Sequence, residues 1–243
     1  MNAVIDRAVS AFETRRYRLL NRRERDIVYK GGAVSFTFDD FPHSALDGAA
    51  MLEERGWRGT FYLSTALAGH DSNVGQIADL ASVMALHARG HEIGNHTDSH
   101  LRCQGAPKAV LKRELKASAD ALAPADGNRS FAFPFGAYDA SALNVFSGSF
   151  DTLRTVQRGV NHGRADLNLL KANPIYESTQ LDTVRMLLDE TVANDGWLIF
   201  YTHDVCARPS DFGCTPARFD QVLSLVAQRG LAVETVAGVF ASL

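Results

Sequence analysis

No run of apolar residues approaches the roughly 20 that a membrane-spanning helix needs. The longest strongly apolar stretch near the C-terminus, Trp197 to Tyr201, is strand-sized. The first 30 residues hold eight Lys/Arg, four Asp/Glu and no apolar h-region. They do not read as a secretory leader, and a cytoplasmic protein is expected. Cysteine is scarce. Cys103, Cys206 and Cys214 form no CxxC or zinc-finger spacing, so free thiols are expected, with a local Cys206–Cys214 bridge as the alternative. Positive charge is not in excess: the net charge is −3, which argues against a nucleic-acid partner. No Gly-rich dinucleotide or phosphate loop follows the first apolar strand. Repeats, low-complexity tracts and linkers are absent, which leaves one main domain.

What is present is ordinary globular material. The chain has 243 residues, 46% of them apolar and 22% charged, enough for one large α/β domain with its own core. Residues 3–28 look like a basic helix, with Val4, Ala8, Phe12, Tyr17 and Leu20 loosely on one side. Residues 1–30 are therefore read as a basic helical extension and 31–243 as the single barrel domain. The extension either docks on the domain or touches an anionic surface such as a membrane headgroup layer.

From residue 33 strands and helices alternate. Strands are predicted at 33–38, 60–63, 91–95, 130–133, 152–156, 197–202 and 231–236. Helices are predicted at 44–55, 77–88, 108–122, 139–146, 181–194 and 216–228, with 166–176 left ambiguous and a short tail after 236. In 181–194 the inner side is read as Val184, Leu187, Leu188, Thr191 and Val192. Seven or eight strands alternating with helices favour a (β/α)7–8 barrel, distorted and complete or incomplete, over an open sheet.

In such a barrel chemistry gathers at the C-terminal ends of strands. Four ends converge in charge and imidazole: Asp39-Asp40, His96 with His100, Pro134-Phe135-Gly136, and His203-Asp204. His96 and His100, four apart in a tight loop or helical turn, can both reach one metal ion. A carboxylate from a neighbouring strand end completes a two-His, one-carboxylate face with open positions. Adjacent aspartates point in different directions, so one of the pair can bind metal and the other take a proton from water. A plain helix N-cap is the competing role for Asp40. His203 can protonate a leaving group near neutral pH, or serve as a satisfied core histidine. The remaining histidines, His43, His70, His87, His91 and His162, are expected on the surface or in loops.

Thr37-Phe38-Asp39-Asp40, His96-Thr97-Asp98-Ser99-His100, Phe133-Pro134-Phe135-Gly136 and His203, in that order, resemble the polysaccharide deacetylase (NodB homology) family, carbohydrate esterase family 4. The resemblance covers residues 33–236. It implies a distorted (β/α) barrel that removes N-acetyl groups from amino sugars with a divalent metal, zinc first, with cobalt, nickel or manganese as alternatives. It also implies Asp39 as catalytic base, Asp40, His96 and His100 as metal ligands, His203 as general acid and the Phe135 backbone N–H as oxyanion donor. Phe41, Pro134, Phe135 and Asp204 are the expected substrate contacts.

Three departures from the family stand out. The Arg that orients the base is replaced by Ala132, and Arg154 or Arg158 is expected to supply the cation, Arg158 being favoured. The Asp-x-x-Asp-Trp block that supports the acid histidine is absent, leaving Asp166 or Asp204 to orient His203. Phe41 stands where the family has Gly, and should reshape the mouth. The expected substrate is an N-acetylated sugar, short glycan or lipid-linked sugar. The alternatives are a C–N hydrolase for a non-sugar amide or formyl group, and a sugar-binding pseudoenzyme.

Overall fold

The computed structural model describes residues 22–125 and 129–243. In chain order the strands are β1 (Glu24–Ile27), β2 (Ala33–Phe38), β3 (Thr60–Leu63), β4 (Asp71–Ser72), β5 (Gly75–Gln76), β6 (Glu92–Asn95), β7 (Ser130–Ala132), β8 (Thr152–Arg154), β9 (Gly163–Asp166), β10 (Asn173–Pro174), β11 (Trp197–Thr202) and β12 (Ala232–Val233). The helices are α1 (Ala45–Glu53), α2 (Leu80–Ala88), α3 (Lys108–Leu122), α4 (Ala140–Phe146), α5 (Leu181–Ala193), α6 (Pro216–Gln228) and α7 (Val236–Ser242).

The main sheet is parallel throughout and runs β10-β11-β2-β3-β6-β7-β8. It curls into the expected incomplete barrel. β2 is shared along its length: β12 pairs with Ala33 and Val34, and β3 pairs with Thr37 and Phe38. The gap between β8 and β10 is spanned by the connector after β9. There Leu170 N–H donates to Leu153, Thr155 N–H donates to Leu170, and one bridge joins Arg154 to Leu170.

Strand alternation divides the side chains. Val34, Phe36 and Phe38 of β2, Phe61 and Leu63 of β3, and Leu198 and Phe200 of β11 join the apolar layer under the helices. The alternate set, Ser35, Thr37 and Asp39 on β2 and its end, then Tyr62, His96, Arg154 and Tyr201, faces the barrel interior, and Trp197 Nε1 donates to Ser35 Oγ there at 2.9 Å. α1 meets this layer with Ala45, Gly48, Ala49 and Leu52 buried at i, i+3, i+4 and i+7. A Cβ at Gly48 would come within 2.6 Å of the Phe38 ring, so the close approach of α1 requires glycine.

Several boundaries differ from the sequence reading. The helix expected over 3–28 lies outside the described residues as far as residue 21, and residues 24–27 are strand β1, paired antiparallel with β9. α2 begins at Leu80, not Ile77, because Asp79 caps it by accepting from Ser82 N–H. The expected tail is helix α7, capped by Thr235, with Val236 and Val239 fully buried. On α5, Val184, Leu188 and Thr191 are buried, but Val192 is exposed. Among the described residues no helix is long and apolar enough to cross a membrane.

Candidate active site

β2 delivers the two aspartates. Asp39 N–H still pairs with Thr202 O at 2.9 Å, so its side chain keeps the inward face of the strand. The chain then turns left-handed, with φ of 60° at Asp40 and 54° at Phe41. This turn swings the Asp40 carboxylate away from Asp39 and toward the loop after β6. Phe41 therefore does not reshape the mouth. It is fully buried, with its ring 4.9 Å from that of Phe61. Burying the ring compensates for holding a bulky residue where the backbone favours glycine.

The loop after β6 carries both histidines and is not helical, since Thr97 and His100 have positive φ. Glu114 of α3 clamps it, accepting from the N–H groups of Asp98 and Ser99 at 3.1 and 2.8 Å. Asn95 Oδ1 accepts from Thr97 N–H at 2.9 Å. His96 Nδ1 donates to Ala132 O at 2.7 Å, which leaves its Nε2 lone pair facing Asp40. Asp40 Oδ1 lies 3.1 Å from His100 Nε2 and 3.5 Å from His96 Nε2, yet it is buried with no hydrogen-bond partner.

One donor atom from each of Asp40, His96 and His100 falls within 4.8 Å of the others. Two imidazole nitrogens and an orphaned carboxylate oxygen fit a divalent cation of the borderline class. The charge states agree. Burial raises the Asp40 carboxyl, but His100, His96 and His203 outweigh it and hold the group well below the usual carboxylate range. Burial lowers the His96 imidazole to about 4, against the pull of Asp39 and Asp40, so it is neutral and free to ligate at pH 7.

Arg154 answers the missing cation, and Arg158 does not. Arg154 Nη2 donates to both oxygens of Asp39, at 2.7 and 2.6 Å. Its guanidinium lies between the rings of Tyr62 and Tyr201, 5.3 and 5.0 Å from their centroids. Alternation on β8 decides this: Leu153 packs outward, so Arg154 points into the barrel, whereas Arg158 comes after the strand has ended. A buried arginine needs a carboxylate, and that rule was the available signal.

His203 follows β11. Its Nδ1 donates to the carbonyl of Phe212 at 3.2 Å, which turns Nε2 toward Asp40 Oδ2, 3.9 Å away. The expected acid partner is thus a backbone carbonyl. Asp204 is 2% exposed and accepts from Ser210 N–H and Oγ, bracing its own loop rather than contacting substrate. Asp166 accepts from Arg23 N–H beside β1 and β9. All three cysteines are free thiols. Cys214 pairs with Val205 in a parallel bridge, so Cys206 faces the other side. His91 is not a surface residue: it is 1% exposed, accepts from Gly59 N–H and contacts Glu53.

These groups share one cleft of about 410 Å³ that includes Asp39, Asp40, His96, His100 and His203. Phe135 lines it, 62% exposed, with its ring 4.5 Å from that of His100; Pro134 is buried behind the turn. Asn73, Val74, Val156, Tyr176, Tyr201 and Phe212 also line the wall, and sequence reasoning missed all six. Tyr176 and Phe212 come from loops whose approach depends on the curl of the sheet.

A family model described as polysaccharide deacetylase matches residues 28–148, the stretch that carries Asp39, Asp40, His96, His100 and the Pro134–Gly136 turn. The chain belongs to the polysaccharide deacetylase family. Solved deacetylases and esterases of carbohydrate esterase family 4 share its fold. The chitin deacetylase of Colletotrichum lindemuthianum is 16% identical with a TM-score of 0.62, covering 88% of this chain and 89% of that one. A family 4 acetyl xylan esterase from Clostridium thermocellum, in complex with a cobalt ion, is 21% identical with a TM-score of 0.59, covering 86% and 91%. A pseudoenzyme of the same family from Bacillus anthracis is 12% identical with a TM-score of 0.51, covering 87% and 66%. No curated protein matches the chain. Against the deacetylase pattern, Ala132 is no gap in the site, because the cation comes from the next strand.

Proposed function

We propose that this deacetylase-family protein hydrolyses the N-acetyl group of an amino sugar or short glycan, with Asp40, His96 and His100 holding a divalent metal, most simply zinc. The observation that carries the reading is the joint placement, in one cleft, of this ligand triangle, the Asp39–Arg154 pair and His203. A cation at the triangle supplies positive charge that acidifies a water and polarises the acyl oxygen.

The chain's own groups do the rest. The Asp39 carboxylate takes a proton from the attacking water, and Arg154 orients that carboxylate through its two hydrogen bonds. The Phe135 N–H is the family's donor to the developing oxyanion. His203 holds one proton on Nδ1 against the Phe212 carbonyl and gives another from Nε2 to the departing amine. The acyl C–N bond breaks, leaving acetate and a free amine.

Acetate release from short N-acetylglucosamine oligosaccharides tests this, with added zinc or cobalt and again with a chelator. Metal-dependent release is expected. Asp39→Asn should bind metal as wild type does and lose most turnover, and loss of metal instead would reverse the two aspartates. No release by protein shown to hold metal would overturn the reading for N-acetylated sugars in favour of a hydrolase for a non-sugar amide or a pseudoenzyme.

A further inference from the structure

Arg158, out of reach of Asp39, lines a second cavity. This space of about 170 Å³ is walled by Arg158, Tyr176, Ser178, Gln180 and Thr183 over an apolar floor that includes Leu187 and Phe200. Its upper wall is made by the loops that follow β8 and β10, so it opens at the same barrel end as the catalytic cleft. Tyr176 borders both spaces, so the two cavities are neighbours.

Arg158 is exposed and forms no ion pair among the described residues. No acid lines the cavity, and the two acids on its flanking segments have other partners: Asp182 pairs with Arg185 at 2.7 Å, and Glu177 Oε2 accepts from Thr215 N–H at 2.8 Å. The cavity thus combines an uncompensated guanidinium with hydroxyl and amide groups, a donor set that matches the oxygens of a carboxylate or phosphate.

We propose that this cavity is a specificity site for an anionic substituent of the substrate, a carboxylate or phosphate next to the N-acylated sugar, read by Arg158. The inference rests on the deacetylase reading for the substrate's other end. It narrows the substrate class to acidic glycans or phosphorylated amino sugars.

Two probes separate the two sources: a hyaluronan tetrasaccharide for the carboxylate and N-acetylglucosamine 1-phosphate for the phosphate. A neutral N-acetylglucosamine tetrasaccharide is the reference. In the full chain, Arg158→Gln should lower the anionic-to-neutral ratio of kcat/KM about tenfold, the scale of one charge-assisted contact, and Arg158→Lys should restore part of it. Binding by calorimetry at low and high salt is the readout independent of turnover. If no probe releases acetate but anionic binding still depends on Arg158, the deacetylase reading falls and the anion site stands. If wild type binds neither anionic probe, or binds one as Arg158→Gln does, the anion site is overturned.

Discussion

A guanidinium that is 1% exposed has lost its water, and a carboxylate held against it makes that position tenable. Arg154 and Asp39 stand in this relation, and removing one partner strands the other. Arg154→Met should therefore destabilise the protein by about 3 kcal/mol. The double variant Arg154→Met/Asp39→Asn should recover much of that loss without recovering activity. Urea unfolding of the four proteins measures the coupling, and equal destabilisation in the single and double variants would deny it. The position was half legible. The absent family arginine at Ala132 called for a substitute, but choosing Arg154 over Arg158 needs the end of β8, which lies two residues short of the apolar run that suggests it. His96 makes a second residue-scale point. Its imidazole is lowered by burial from 6.5 to about 4, so the folded state stays neutral where the unfolded chain already takes a proton. That contribution is complete above 6.5 and is lost as pH falls toward 4. The chelator-treated protein should melt progressively lower across this window, and His96→Ala should flatten the slope. An unchanged slope would place the responsible proton elsewhere.

At the scale of elements, the loop bearing His96 and His100 is held by a helix that contributes nothing to the cleft lining. Thr97 and His100 sit at φ of 65° and 57°, a conformation non-glycine residues adopt only when their surroundings impose it. Glu114, 6% exposed on α3, imposes it through two backbone N–H groups and the Ser99 hydroxyl. Glu114→Ala should leave cooperative unfolding intact and weaken metal binding about tenfold, as loss of a supporting shell does. Cobalt titration of the visible spectrum reads this directly, and wild-type affinity would show that the loop holds its shape unaided. Glu114 was visible in the sequence only as one acid in an amphipathic helix, because nothing local says that its side chain turns toward a loop 15 residues earlier.

The whole molecule is a barrel whose wall is partly loop. Because the connector after β9, rather than a full strand, spans the gap between β8 and β10, the wall near Tyr176 is built from loops, and both cavities open there. The opposite end is sealed by α7. Its Ala237 N–H donates to Glu92 at 2.9 Å, and Glu92 also accepts from Thr60 and Ser130 inside the barrel. Burial raises the Glu92 carboxyl pKa despite these bonds. Deleting residues 236–243 exposes the partners of Val236 and Val239 and opens Glu92 to water. It should cost about 3 kcal/mol or more from apolar burial alone, seen as a lower guanidinium midpoint. A midpoint equal to the full chain's would mean that α7 is only appended to the barrel.

Period-2 alternation, helix spacing and turn residues are local properties, so the succession of strands and helices from residue 33, the barrel class and the strand ends bearing Asp39, Asp40, His96, His100 and His203 were determined by the sequence alone. Contacts between distant segments were decided only by the tertiary structure. The curl of the sheet set Arg154 rather than Arg158 against Asp39, gave His203 the Phe212 carbonyl in place of an acid, and withdrew Phe41 and Asp204 from the mouth. Each depends on where two elements far apart in the chain come to lie, and packing sets that position rather than any pattern within either element.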